Sequence, residues 1–173
     1  MVAELILVRP MPPITAEEFR DVISEVGHVV WQIQVLEGVL GSYLVLVHKA
    51  TAAAARAEVE TMFVKTHKQT LGTLLKAIRD TGAVAQLVPR LEKFVDERNW
   101  LVHRSRHEDR KALYSEAARA ALIDRLTNLG DEALSLMTLF QQAIEDHLVA
   151  RGMSKAEIDR RAEQLHREWI AEA

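Results

Sequence analysis

The chain has 173 residues, enough for one domain with a sizeable core, and its 49% hydrophobic and 27% charged residues exclude a disordered polymer. Cysteine is absent, which excludes disulfides and thiolate metal centres and fits a reducing, cytoplasmic setting. A formal net charge of -3 argues against a globally basic nucleic-acid coat but leaves room for a local basic patch.

Residues 5–8 (Leu5, Ile6, Leu7, Val8) form a short apolar run with no basic flank and no small-residue cleavage site. They read as part of an N-terminal arm over residues 1–14 that packs or dimerises rather than as a signal peptide, with a paired strand as the alternative. Pro10, Pro12 and Pro13 forbid a helix interior there. Thr15 and Glu18 then have the spacing of a capping box and open a long helix. Its apolar positions, Phe19, Val22, Ile23, Val26, Val30, Ile33, Leu36, Leu40, Tyr43, Leu44 and Val47, recur in steps of three and four. Gly27, Gly38 and Gly41 are costly inside a helix, and close approach of a neighbour is their expected use. Residues 29–47 are the most apolar stretch, yet Gln32, Gln34 and Glu37 interrupt it, so a buried core helix is expected and no membrane span.

Thr51 is expected to cap a second, Ala-rich helix running toward Val64, with a break at residues 65–67. A further helix over residues 70–79 stops at Thr81-Gly82. Pro89 suits the first turn of the next helix, which continues to about Arg104, and residues 105–111 read as a helix end or a loop. Leu122, Leu126, Leu129, Ala133, Leu136, Met137, Phe140, Ile144 and Leu148 trace a second long helix that Gly152 ends. Ser154 and Glu157 repeat the capping-box spacing and start a charged C-terminal helix over residues 153–173. Its apolar points, Ile158, Leu165, Trp169 and Ile170, suit docking on the bundle or on a dimer mate. The expected fold is all-α: an antiparallel helical bundle over residues 15–152, with two long helices and shorter ones connecting them.

The chemistry concentrates near residue 100. On a helix advancing about 100° per residue from Leu91, Phe94, Val95, Leu101 and Val102 fall within about 80° of it, which predicts the buried stripe. Arg98, at about 340°, sits inside that stripe, while Asn99 and His103 lie one turn apart on its flank and Trp100 lies opposite it. An arginine on an apolar face is expensive unless it is paired or lines a working cavity. Two readings follow: an interhelical ion pair, or a cleft that gathers a fixed positive charge, an orienting amide and a proton carrier.

Arg98-Asn99-x-x-x-His103 resembles the R-x(4-6)-H motif of HEPN domains, all-helical proteins in which Asn often follows the arginine. The motif spans six residues, and the architectural resemblance covers most of residues 1–152. It implies a homodimer whose two motifs form one composite site and, in catalytic members, metal-independent RNA cleavage. Carried over, His103 becomes the general acid or base on the ribose 2'-hydroxyl, Arg98 the stabiliser of the phosphorane and Asn99 the orienting residue. A toxin or defence protein, with RNA as substrate and an antitoxin protein as partner, is the implied role; other members bind nucleotides or proteins without catalysis. In one branch, a tyrosine two residues after the histidine is the modified residue; Ser105 stands there in this chain, so that modification is not expected.

Arg104, Arg106, Arg110 and Lys111, with His103 and His107, form a cationic run suited to RNA phosphates, or alternatively a solvated helix end that Glu108 and Asp109 dilute. His103 and His107 have the i, i+4 spacing of metal ligands, but no HExxH motif and no third ligand accompany them, so no metal is expected. A glycine-rich phosphate loop and a nucleophile elbow are also missing from the sequence, and no cofactor is expected.

Overall fold

In the computed structural model, residues 14–51 and 55–172 are described. The arm expected from Leu5 to Val8 lies outside them, as do the side chains of Leu165, Trp169 and Ile170. The described residues fold as an all-α bundle without strands. Helix α1 (Ala16–Tyr43) starts at the expected capping box: Thr15 accepts from the Glu18 amide, and Glu18 accepts from the Thr15 amide at 2.8 Å. It then widens into a π-helical turn, Leu44–Lys49, which brings His48 Nε2 to 3.2 Å from the Tyr43 hydroxyl five residues earlier.

Helix α2 (Arg56–His67) follows; its N-cap is Ala55 and not Thr51, and no side chain caps it. Its break falls at Lys68 and Gln69, two residues beyond the expected place, because Thr70 is the residue whose side chain caps α3 (Leu71–Thr81). Gly82 ends α3 in the left-handed conformation at φ 68°, and α4 (Val88–His103) begins with Pro89 in its first turn. Residues 105–111, open between helix end and loop, are helical: a four-residue turn α5 (Ser105–Glu108) and a 3-10 turn Arg110–Leu113. Helix α6 (Glu116–Ala150) is the longest, and α7 (Lys155–Glu172) follows Gly152 (φ 94°) and Ser154, whose hydroxyl accepts from the Glu157 amide.

The core is a continuous apolar cluster along the facing sides of α1 and α6, closed by α3 and α4. Val29, Leu36, Leu40, Leu91, Leu126, Ala133, Leu136 and Phe140 have no exposed surface. The two long helices run in the same direction, since Glu18 meets Arg119, Thr127 donates to Glu25 at 3.1 Å and Tyr43 stacks edge-on against Phe140. The antiparallel relation belongs to α4, which passes back along α6 with Arg90 on Glu132 and Glu97 on Arg125. The long connection between α1 and α6 returns the chain to its starting end before α6 begins.

Close approach of the long helices occurs at Gly130, where a methyl group would strike the Gln32 amide oxygen, and not at Gly27 or Gly38, which have nothing within 4 Å of such a methyl. Gly41 gives way to the ring of His67 on α2. By length and mean hydropathy, residues Ala16–Lys49 could cross a bilayer, but here their inward face is the spine of the core.

Candidate functional site

Helix α4 touches three neighbours, and this sets which of its faces is buried. Leu91, Phe94 and Leu101 are inside, as the sequence pattern predicts, but Val102 is 51% exposed while Trp100 has no exposed surface. The buried arc is therefore rotated toward α6 relative to the expected stripe. The reason lies on α6: Arg125 lays its guanidinium 3.5 Å from the centre of the Trp100 ring and holds both oxygens of Glu97, at 2.7 and 3.1 Å. The arginine is thus a lid that makes the far side of α4 an interior position. These hydrogen bonds hold the Glu97 carboxyl below the usual carboxylate range, against the upward push of burial.

That shift gives an expected pH dependence. Because the folded-state value is depressed, the pair stabilises the fold above the unfolded glutamate value, about 4.3, and loses that contribution as pH falls from there through the folded value. Urea unfolding between pH 6 and pH 3 is expected to show a fall in midpoint that is shallower in Glu97→Gln. An identical acid profile in the variant would show that the Glu97–Arg125 pair carries no linkage.

Arg98 lies at the other edge of the buried arc. Its side chain is 27% exposed, its Nη2 donates to Glu37 Oε1 on α1 at 3.4 Å, and its Nε is buried with no hydrogen-bond partner. The interhelical pair of the first reading is present, but it is long, and the buried Nε of the guanidinium is left without a partner. Glu37 also lines a cleft of about 260 Å³ between α1 and the α2–α3 turn, with Gln34, Gly38, His67, Gln69 and Leu74. The buried Gln69 Oε1 is likewise without a partner. Sequence reasoning missed Glu37 as the partner of Arg98, and His67 and Gln69 as its neighbours in the cleft; the one signal was Glu37 itself, an acid on a largely apolar helix.

Asn99 and His103 are exposed, one turn apart on the outer side of α4, and neither side chain has a hydrogen-bond or ion-pair partner among the described residues. His103 is the last residue of α4. The cationic run divides beyond it. Arg104 faces Glu108 at 3.7 Å, Arg106 and Arg110 border an apolar cleft with Asp109, and Lys111 is exposed. Among the described residues, no three His, Cys, Asp or Glu side chains gather as a metal-binding group, around His103 and His107 or elsewhere.

The arrangement can hold an anion at Arg98 only if the ligand competes with Glu37, and it offers water-accessible hydrogen-bonding groups at Asn99 and His103. A larger open groove, about 830 Å³, runs between α4 and α6 and is lined by Arg90, Lys93, Glu97, Asp124, Arg125 and Glu132. It mixes both signs, and its arginines are engaged by Glu132 and Glu97. Compared with family models, with curated proteins and with solved structures, the chain has no match.

Proposed function

We propose that this chain is a cytoplasmic HEPN-like module that works as a homodimer, and that Arg98, Asn99 and His103 form a metal-independent RNA-cleaving site. The observation that carries this reading is local. An exposed imidazole and amide, neither engaged among the described residues, stand one turn apart on α4, the helix that also carries Arg98, whose Nε is buried without a partner. In the proposed reaction, His103 takes the proton of a ribose 2'-hydroxyl, the 2'-oxygen bonds to the adjoining phosphorus to give a 2',3'-cyclic phosphate, and the P–O5' bond breaks as the leaving 5'-oxygen takes a proton from water. Arg98 stabilises the charge that builds on the phosphorane, and Asn99 orients the reacting groups. Arg104, Arg106, Arg110 and Lys111 supply phosphate contacts, and a toxin or defence role with an antitoxin partner follows the same resemblance.

The purified protein is expected to cleave single-stranded RNA in excess chelator, and His103→Ala to slow that cleavage by about 10²–10⁴-fold. RNA left intact by the wild type, or cut equally well by the variant, rejects the enzyme reading.

One observation favours a second reading. The Arg98–Glu37 pair engages the arginine within one protomer, as suits a non-catalytic module that binds a nucleotide or a protein through the adjoining cleft. There Arg98→Ala weakens binding while RNA stays intact under every condition.

A further inference from the structure

On the side of the bundle where α1 begins, an apolar cleft of about 360 Å³ separates the first turns of α1 from the connection between α4 and α6. Its floor includes Val22, Leu101 and Ala112, all buried. Its walls are large apolar side chains left in water: Phe19 is 46% exposed, Ile23 53% and Leu113 36%. Phe19 and Ile23 continue the α1 stripe one turn apart, yet no described element covers them. A soluble domain does not normally leave such a cluster bare unless something occupies it.

The chain itself leads into this cleft. Ile14 lines it, and the Ile14 amide donates to the Leu113 carbonyl at 3.0 Å, so the first described residue sits at the cleft's own margin. Upstream lies the apolar run Leu5, Ile6, Leu7, Val8, separated from Ile14 by a segment in which Pro10, Pro12 and Pro13 favour extended backbone. Eight residues of extended chain from Ile14 reach about 26 Å, whereas the α1 wall from Ile14 to Val26 spans about 18 Å. The α1 wall is thus within the reach of Ile6. A tether this short also gives the segment a local concentration in the millimolar range, far above that of a competing molecule.

We propose that residues 5–8 of the same chain occupy this cleft as an extended strap across Phe19, Ile23 and Leu113. The strap covers the apolar face that α1 leaves open, and it lies beside Arg106 and Arg110, which border the same cleft just past the end of α4. The proposal does not depend on RNA cleavage.

The absence of native cysteine makes the test direct. Two double variants, Ile6→Cys with Ile23→Cys and Leu7→Cys with Ile23→Cys, cover both faces of an extended segment. Exposed Ile23 tolerates the change. A control pairs each arm cysteine with Asp80→Cys, at the exposed end of α3. Under mild oxidation at low micromolar protein, one of the Ile23 pairs is expected to close an intramolecular disulfide at least 10-fold faster than its Asp80 control. The rate should be unchanged on 10-fold dilution and should fall several-fold when Leu5 and Val8 are replaced by Ser. A covalent dimer as the main product overturns the proposal and assigns the cleft to a second copy. Equal rates at Ile23 and Asp80, or no disulfide in either register, overturn it outright.

Discussion

Trp100→Ala is expected to lower the unfolding free energy by about 3 kcal/mol, making it among the most damaging single substitutions in α4. Trp100 is fully buried between α4 and α6, and truncation of a buried Trp typically costs about 3–5 kcal/mol through lost transfer energy and the cavity left behind. Two further effects adjust that figure. The indole Nε1 is buried without a partner, so its removal relieves a penalty, which places the expected value at the lower end. In the other direction, Arg125 loses the ring on which it rests and keeps Glu97 as its hydrogen-bond partner. Trp100→Phe keeps an aromatic face under Arg125 and removes the unpartnered N–H, so its cost is expected to stay below about 1.5 kcal/mol. Equilibrium urea unfolding of the two variants checks both values. A Trp100→Ala cost below about 1 kcal/mol would mean that the ring is not an interior group. The same variant is expected to loosen the last turn of α4, which carries His103, and to raise amide exchange there.

Glu37 and Arg98 are the second pair of positions where large effects are expected, in opposite directions for activity. If Arg98 stabilises the phosphorane, Arg98→Ala removes a transition-state charge contact and cuts the cleavage rate by about 10²–10³-fold. The fold should survive, because both side chains are only partly buried and the pair is long at 3.4 Å. A partly exposed pair of this kind is worth no more than about 1 kcal/mol. Glu37→Gln keeps the shape of the cleft and removes the competing carboxylate, so RNA cleavage is expected to rise while thermal stability falls slightly. Under the binding-module reading, the same substitution strengthens the binding of an anionic ligand and produces no cleavage. Under a purely structural reading, Arg98→Met is neutral or stabilising and neither substitution changes anything else. Cleavage assays and thermal unfolding on the three variants separate these outcomes.

The helix pattern was legible because its signals are local. The capping-box spacings at Thr15 and Glu18 and at Ser154 and Glu157, the stop at Gly82 and the start at Pro89 each depend on backbone groups within a few residues. They appear in the structure where the spacing puts them. Thr51 is the exception: a hydroxyl at the head of an alanine-rich run reads as a cap, but α2 begins further on, after Ala55. Gly27 and Gly38 show a different limit. A helical glycine permits close approach, but only packing decides whether a neighbour uses it, and the two long helices meet at Gly130 instead.

The site was legible only in outline. Periodicity identified α4 and marked Arg98 as unusual on it, but it placed Val102 inside and Trp100 opposite the core. Counting apolar residues around a helix locates one hydrophobic direction, whereas α4 is packed by α1, α3 and α6 on different arcs. A charged side chain supplied the covering surface on one of them. No pattern in the sequence pairs Glu97 with Arg125, or Arg98 with Glu37, across separations of 28 and 61 residues.

The sequence by itself therefore determined an all-α chain, the starts and stops of its main helices, and one arginine out of place on an apolar stripe. These follow from the turn-by-turn chemistry of the backbone. Only the tertiary structure decided that the long helices run the same way, that Arg125 seals Trp100 inside, and that Arg98 faces Glu37 while Asn99 and His103 face water. Those outcomes depend on which distant surfaces meet, and the energy that selects them appears only when the helices pack.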